Sequence, residues 1–248
     1  MGATVCRAVA ATGDLELVAA VDPAGSGRPA PGNAAIEIAG GREVLARAGV
    51  EVAVDFTTPG AAAANAVWCA GQGIHCVVGT TGLGAAELAV LAEAFPAGGR
   101  LGCVVAPNFA IGAVLMMRFA ELAAPWFPSA EIVELHHDAK ADAPSGTAML
   151  TAERMAAASR DWGADPTRLE VLEGARGGTG PGGIHVHSVR LRGLVAHQEV
   201  LLGGEGQLLT IRHDSYDRAS FMPGVLLAVR AVADRPGLTV GLERLLGL

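Results

Sequence analysis

Apolar residues in the first hundred positions gather in short runs, and each run stops at a small or turn-forming residue. Residues 2–11 read as a helix with no strand before it. Residues 15–21 are an apolar run ending in Asp22, which predicts a buried strand. A Gly/Pro loop over 23–32 follows. Residues 51–56 predict a second strand, and Thr57-Thr58-Pro59 opens an Ala-rich helix that stops near Gly71 and Gly73. Residues 74–78 form a strand running into Gly79-Thr80-Thr81-Gly82, residues 85–94 a helix, and residues 101–106 a strand running into Pro107-Asn108-Phe109. Strands alternating with helices give parallel βα units. The expected class is α/β, with a Rossmann-like doubly wound parallel sheet.

After Phe109 the pattern changes. Residues 111–124 predict a long helix, and 130–135 a strand that delivers His136 and His137 at its end. Residues 145–159 predict a helix, and 174–183 a glycine-rich loop, either a connector or a substrate lid. Three strands follow with little helix between them, over 184–191, 197–202 and 207–212, which predicts a meander-like α+β block with a mixed or antiparallel sheet. Apolar side chains alternate at Ile184 and Val186, then at Val189 and Leu191. The phase slips at His187-Ser188, which predicts a bulge. Residues 220–233 predict an amphipathic helix and 239–246 a short tail element.

Composition narrows the classes. Of the 248 residues 51% are hydrophobic and 17% charged, which marks a folded chain with a proper core. A net charge of −7, without a basic stripe or interleaved aromatics, argues against nucleic acid as a partner. Residues 56–86 carry no formal charge, but Gly, Pro, Thr, Asn and Gln interrupt them too often for a membrane span. No signal-peptide pattern opens the chain. Cys6, Cys69, Cys76 and Cys103 form no CxxC pair and no zinc spacing, which predicts reduced thiols in a cytoplasmic protein.

The chemistry concentrates at His136-His137-Asp138-Ala139-Lys140-Ala141-Asp142-Ala143-Pro144-Ser145-Gly146-Thr147-Ala148. Two adjacent imidazoles can move protons near neutral pH. Lys140 is the only lysine among 18 basic residues, and Arg cannot release a proton in a protein. Position 140 therefore calls for an amine. Pro-Ser-Gly-Thr then opens a helix, whose first N–H groups suit a carboxylate or phosphate. Asp142 is expected to fix the turn or pair with Lys140. His185 and His187 stand in HxH spacing and could ligate a metal, though no third ligand is evident. His75, His197 and His213 read as structural. Arg190, Arg212 and Arg218 could neutralise carboxylates or be surface charges.

This window resembles the signature of the dihydrodipicolinate (4-hydroxy-tetrahydrodipicolinate) reductase family, in its actinobacterial form, and the resemblance runs along nearly the whole chain. It implies NADH- or NADPH-dependent reduction of a cyclic dicarboxylate with loss of water, in lysine and diaminopimelate biosynthesis, with no metal required. His136 would be the general acid/base and Lys140 a proton donor. His137, Ser145, Gly146 and Thr147 would bind substrate. Met1, Asp22, Gly79, Thr80, Thr81, Ala106, Pro107, Asn108 and Phe109 would line the cofactor. It implies a dinucleotide-binding domain of residues 1–107 and 214–248, with the last helix packed back on the first lobe. Residues 108–213 would form a substrate-binding and oligomerisation domain, the site would lie in the cleft between lobes, and the assembly would be a homotetramer.

A dinucleotide fold begins with a strand and a glycine turn. Neither precedes Met1-Gly2, which looks like the end of that turn. The expectation is that the gene product carries both upstream and that Met1 is an internal methionine. Asp22 sits where an acidic residue would bond the adenosine ribose. It is followed by Pro23 and not Arg, which predicts that NADH is used at least as well as NADPH. Two other classes stay open on the residues alone: a His-metal lyase or hydrolase, and a reductase-like binding or regulatory protein.

Overall fold

The computed structural model describes residues 1–248. The elements run α1 (Gly2–Ala10), β1 (Pro29–Ala30), β2 (Asn33–Glu37), α2 (Glu43–Arg47), β3 (Val52–Asp55), α3 (Pro59–Gly71), β4 (His75–Val78), α4 (Ala85–Ala94) and β5 (Gly102–Val105). They continue with α5 (Ile111–Ala123), β6 (Ser129–His136), α6 (Gly146–Ala158), β7 (Gly178–Thr179), β8 (His185–Arg190), β9 (Ala196–Gly204) and β10 (Gln207–Ser215). The chain ends with α7 (Met222–Ala231), β11 (Gly237–Val240) and α8 (Glu243–Leu246). It divides into two compact units, Met1–Ile111 with Arg218–Leu248, and Gly112–Asp217. None of the helices is long and apolar enough to cross a membrane.

The first unit holds a parallel sheet in the order β11-β5-β4-β3. Both its faces are covered, which is why its strands read as solid apolar runs. On one face Cys76, Val78, Cys103 and Val105 pack against Ala62, Ala66 and Cys69 of α3 and Leu91 of α4. The small residues of α3 let that helix approach closely. Val77 and Val104 bury the other face. There Gly102 admits the carbonyl of Val232, which would lie 2.1 Å from any Cβ. α7 packs on α1, and Arg230 pairs with Asp14 at 2.7 Å.

Residues 15–21 do not form the expected buried strand. Only Val21 bridges, to Ala39, and Val18 and Val21 are each 37% exposed. A strand needs ladder partners, and the main-chain bonds here reach only residue 39. The expected loop at 23–32 instead ends in a small hairpin, β1 against β2. Gly32 turns it at φ +91°, and a side chain there would press on Cys6 and Arg7 of α1.

The second unit is built on a mixed sheet in the order β10-β9-β6-β8-β7. β6 lies between β8, to which it is parallel, and β9, to which it is antiparallel. The expected three-strand meander is therefore replaced by a β9–β10 hairpin and a β6–α6–β8 crossover. The glycine-rich stretch contributes β7, which pairs antiparallel with β8. α6 covers one face of the sheet with Ala148, Thr151, Ala152 and Met155, and Gln198 of β9 donates to Thr151 Oγ1 at 2.8 Å.

The expected bulge at His187-Ser188 is absent. β8 runs in unbroken register from Glu131↔His185 to His136↔Arg190. Val186, Ser188 and Arg190 share one face because side chains alternate along a strand. The apolar phase slips because Ser188 and Arg190 meet a buried carboxylate on that face, that of Glu134.

Candidate active site

The signature window folds as the end of β6, a turn, and the start of α6. Alternation puts Ile132, Glu134 and His136 on the face that α6 covers. Glu134 is wholly buried, yet every donor it needs is present. Arg190 Nη1 reaches Oε2 at 2.9 Å, and Arg190 Nη2 reaches Oε1 at 2.8 Å. The Ser145 N–H donates to Oε1 at 3.2 Å, and His136 Nδ1 lies 2.5 Å from Oε2. Burial alone would raise the Glu134 carboxyl. Hydrogen bonds from Arg190, Ser188 and His136 outweigh it and hold the group below the usual carboxylate range.

His136 is itself lowered from the ordinary imidazole value, by burial first. The bond to Glu134 opposes this, and the charges of Lys140 and Arg190 add to it. His137 stands just past the strand, exposed. The Lys140 N–H closes a turn on the His137 carbonyl at 3.2 Å. Its Nζ sits 2.7 and 2.9 Å from the two carboxylate oxygens of Asp142, one of the two roles expected of that residue from sequence. Lys140 is only 21% exposed at its side chain, and it holds the exposed Asp142 carboxyl below its ordinary value.

Ser145 caps α6. Its backbone is extended, and its Oγ accepts the Ala148 N–H at 3.2 Å. Gly146 and Thr147 open the helix, and the space where a Gly146 side chain would stand is empty. His136, Lys140, Ser145, Gly146 and Thr147 are thus gathered at one end of one unit. Arg190 enters the same group, and its Nη2 reaches the Asp142 carbonyl at 2.6 Å. Glu134 went unremarked in the sequence. Its only signal is a charged residue in the apolar phase of a strand.

Four other histidines are occupied elsewhere. On the opposite sheet face His187 Nε2 meets Glu131 at 2.7 Å and His185 Nε2 meets Asp165 at 3.0 Å. His197 meets Asp214 at 2.7 Å, and His75 Nδ1 accepts the Gly102 N–H at 2.9 Å. No three His, Cys, Asp or Glu side chains converge as a metal site would need. All four cysteines are free, and burial pushes the Cys103 thiol up to about 12.

In the first unit Val78 is level with both Asp55 and Val105, so three strands end together. Gly79-Thr80-Thr81 and Ala106-Pro107-Asn108-Phe109 leave from neighbouring strands there. Asp55, also missed in the sequence, ties them down: its carboxylate accepts from Thr57 N and Oγ1, Asn65 Nδ2 and Thr80 Oγ1. Phe56 lies over Gly79 and packs on Phe109, ring centroids 5.8 Å apart. Phe109 and Ala106 are themselves almost fully buried. Met1 is the N-cap of α1. Asp22 is exposed, and its Oδ1 accepts the Ala24 N–H at 2.9 Å. These strand ends, with hydroxyl and amide groups on short loops, suit a dinucleotide, since ligands of such sheets bind beyond the carboxyl ends of the strands.

A parallel nucleotide-type sheet, together with a unit presenting imidazoles, an amine and a helix start, defines a dinucleotide-dependent oxidoreductase. The comparisons give the particular family. Residues 1–109 match the family model "Dihydrodipicolinate reductase, N-terminus", and residues 112–246 match "Dihydrodipicolinate reductase, C-terminus". The 4-hydroxy-tetrahydrodipicolinate reductase of Cutibacterium acnes is 54% identical over all of this chain and 95% of its own length. That of Nocardia farcinica is 52% identical over the same shares. A dipicolinate-bound dihydrodipicolinate reductase from Paenisporosarcina sp. TG-14 superposes with a TM-score of 0.84 at 42% identity, covering 97% of this chain and 93% of its own. The chain belongs to the dihydrodipicolinate reductase family, and it is an NAD(P)H-dependent oxidoreductase.

Proposed function

We propose that His136 is the general acid/base and Lys140 a proton donor in the reaction this chain carries out. That reaction is the NAD(P)H-dependent reduction of 4-hydroxy-tetrahydrodipicolinate to tetrahydrodipicolinate with loss of water, in lysine and diaminopimelate biosynthesis. The observation that carries the assignment is that His136 and the α6 start both meet one buried carboxylate, Glu134, while Lys140 pairs with Asp142 on the turn between them.

The substrate is a small dicarboxylate, and the related reductase from Paenisporosarcina is dipicolinate-bound. One carboxylate is held by the amides of Gly146 and Thr147 at the positive end of α6, with Ser145 and His137 adding contacts. The dinucleotide, when bound, supplies a hydride and is left oxidised. Asp22, Gly79, Thr80, Thr81 and the 106–109 loop hold it, with Met1 at the start of α1. Lys140 and His136 supply the proton that lets the hydroxyl depart as water. The cation of Lys140 also favours a doubly anionic ring beside it.

His136→Ala and Lys140→Ala test this reading. Each lowers kcat by about a hundredfold or more while NADH affinity, read by fluorescence titration, stays unchanged. Near-normal turnover in both variants overturns it.

The enzyme works as a cytoplasmic homotetramer in this reading. Support comes from the sheet face of the second unit away from α6, where Leu208 is 67% exposed beside Leu201. A monomer by sedimentation at micromolar concentration rejects the tetramer.

A further inference from the structure

We propose that Glu134 is a positioning residue that fixes His136 as its Nδ1–H form and leaves Nε2 as the atom exchanging a proton with the substrate. The inference deepens the assignment of His136 as acid/base and rests on it.

The geometry leaves little choice. Glu134 has no solvent exposure, and its two oxygens face Arg190 Nη1, Arg190 Nη2, the Ser145 N–H and His136 Nδ1. The two-pronged grip of Arg190 keeps the carboxyl ionised, and an ionised carboxylate only accepts. His136 Nδ1 must therefore be the donor in that contact. A neutral imidazole carries one proton, so its Nε2 is bare. A proton taken up at Nε2 makes the ring cationic, and giving it away restores the neutral ring. Nδ1–H is unchanged in both forms.

The charged groups around this ring come from three elements. Glu134 is on its own strand, Arg190 is on β8, and Lys140 with its partner Asp142 is on the turn. Burial, Lys140 and Arg190 all disfavour the cationic ring, and Glu134 is the one group favouring it. Removing only the charge of Glu134 leaves the opposing effects unbalanced. A Gln side chain can also turn its NH₂ toward Nδ1, which would move the ring proton to Nε2.

Selective ¹⁵N-histidine NMR of the intact enzyme, with the His136 signals assigned by His136→Asn, reads the form directly. A protonated Nδ1 with a bare Nε2 in the neutral ring is expected, and the opposite pattern overturns the proposal. The second arm is the pH profile of kcat in Glu134→Gln and Glu134→Asp. In Glu134→Gln the limb set by His136 moves to lower pH and kcat near pH 7.5 falls at least about tenfold, with NADH affinity kept. Glu134→Asp, which retains the charge, recovers part of both. An unmoved limb in folded Glu134→Gln, with His136→Ala inactive, overturns this inference alone. A near-normal His136→Ala overturns the acid/base assignment and this inference with it. If Glu134→Gln fails to fold, the ring measurement on the unaltered enzyme decides.

Discussion

Arg190 and Glu134 meet through two parallel hydrogen bonds of 2.9 and 2.8 Å, from a residue of β8 to one of β6. The same guanidinium reaches the carbonyl of Asp142 at 2.6 Å. One side chain therefore neutralises a buried charge and moors the turn that carries Lys140.

Arg190→Ala is expected to cost about 3 kcal/mol, the usual scale for stranding one partner of a buried pair. Glu134 is the stranded partner, since it has no access to water. Arg190→Lys does not rescue, because one ammonium cannot serve two carboxylate oxygens and the Asp142 carbonyl together. Urea midpoints check the stability, and kcat checks the turn. An Arg190→Ala variant as stable and as active as the parent contradicts the mooring role.

Stability should fall toward acid in two steps. Both His136 and Glu134 bind protons less readily in the folded chain than in the unfolded one. Their contributions are therefore complete above the unfolded values and are lost as pH falls through the folded ones. The imidazole step begins near pH 6.5 and the carboxylate step near pH 4.3, the approximate unfolded values. Urea midpoints taken across this range on the parent and Glu134→Gln check it. In Glu134→Gln the lower step should shrink, and an unchanged lower step would assign it to other carboxyls.

What the sequence made legible was local. The helix start at Ser145, the paired imidazoles and the lone Lys140 lie within one short window, so spacing alone brings them together. The pairing of Lys140 with Asp142, two residues apart, was legible for the same reason. Glu134 was not, because its meaning comes from Arg190, 56 residues away on a neighbouring strand. The slip in apolar phase along β8 was real, but its cause was that buried carboxylate and not a bulge. Nor could periodicity tell that β6 intervenes between β8 and β9, since strand order is set by non-local hydrogen bonds. The run at 15–21 has the apolar content of a strand and lacks a ladder to join.

Gly79 has no room for a side chain. A Cβ there would lie 2.1 Å from the Phe56 ring, which in turn packs on Phe109. Gly79→Ala should push Phe56 aside, disturb both strand-end loops, and cost about 1–3 kcal/mol. The KM for NADH should rise more than kcat falls, because His136 and Lys140 belong to the other compact unit. A thermal melt and steady-state kinetics with NADH check both. An unchanged KM would reject the proposed place of the 79–81 loop in the cofactor site.

Cofactor choice is expected to depend on a residue the sequence pattern passed over. Asp22 is followed by Pro23, and in its proposed place at the adenosine ribose its carboxylate would repel a 2′-phosphate. Yet Arg28 folds back on the same turn, its Nη2 3.1 Å from the Ala24 carbonyl. Arg28 and Asp22 border Gly25 together, within 3.2 and 3.3 Å of where its Cβ would be. A cation beside the anion offers the 2′-phosphate a partner, so NADPH should be accepted while NADH keeps at least equal kcat/KM. Arg28→Ala should lower kcat/KM for NADPH roughly two- to fivefold, the scale of an exposed ion pair, and leave NADH nearly unchanged. Asp22→Asn should shift the ratio the other way. Steady-state kinetics with both cofactors at low salt, where exposed charges are least screened, gives the comparison. A parent enzyme strongly preferring NADPH, or an Arg28→Ala variant with its ratio intact, would mean that this turn does not read the ribose.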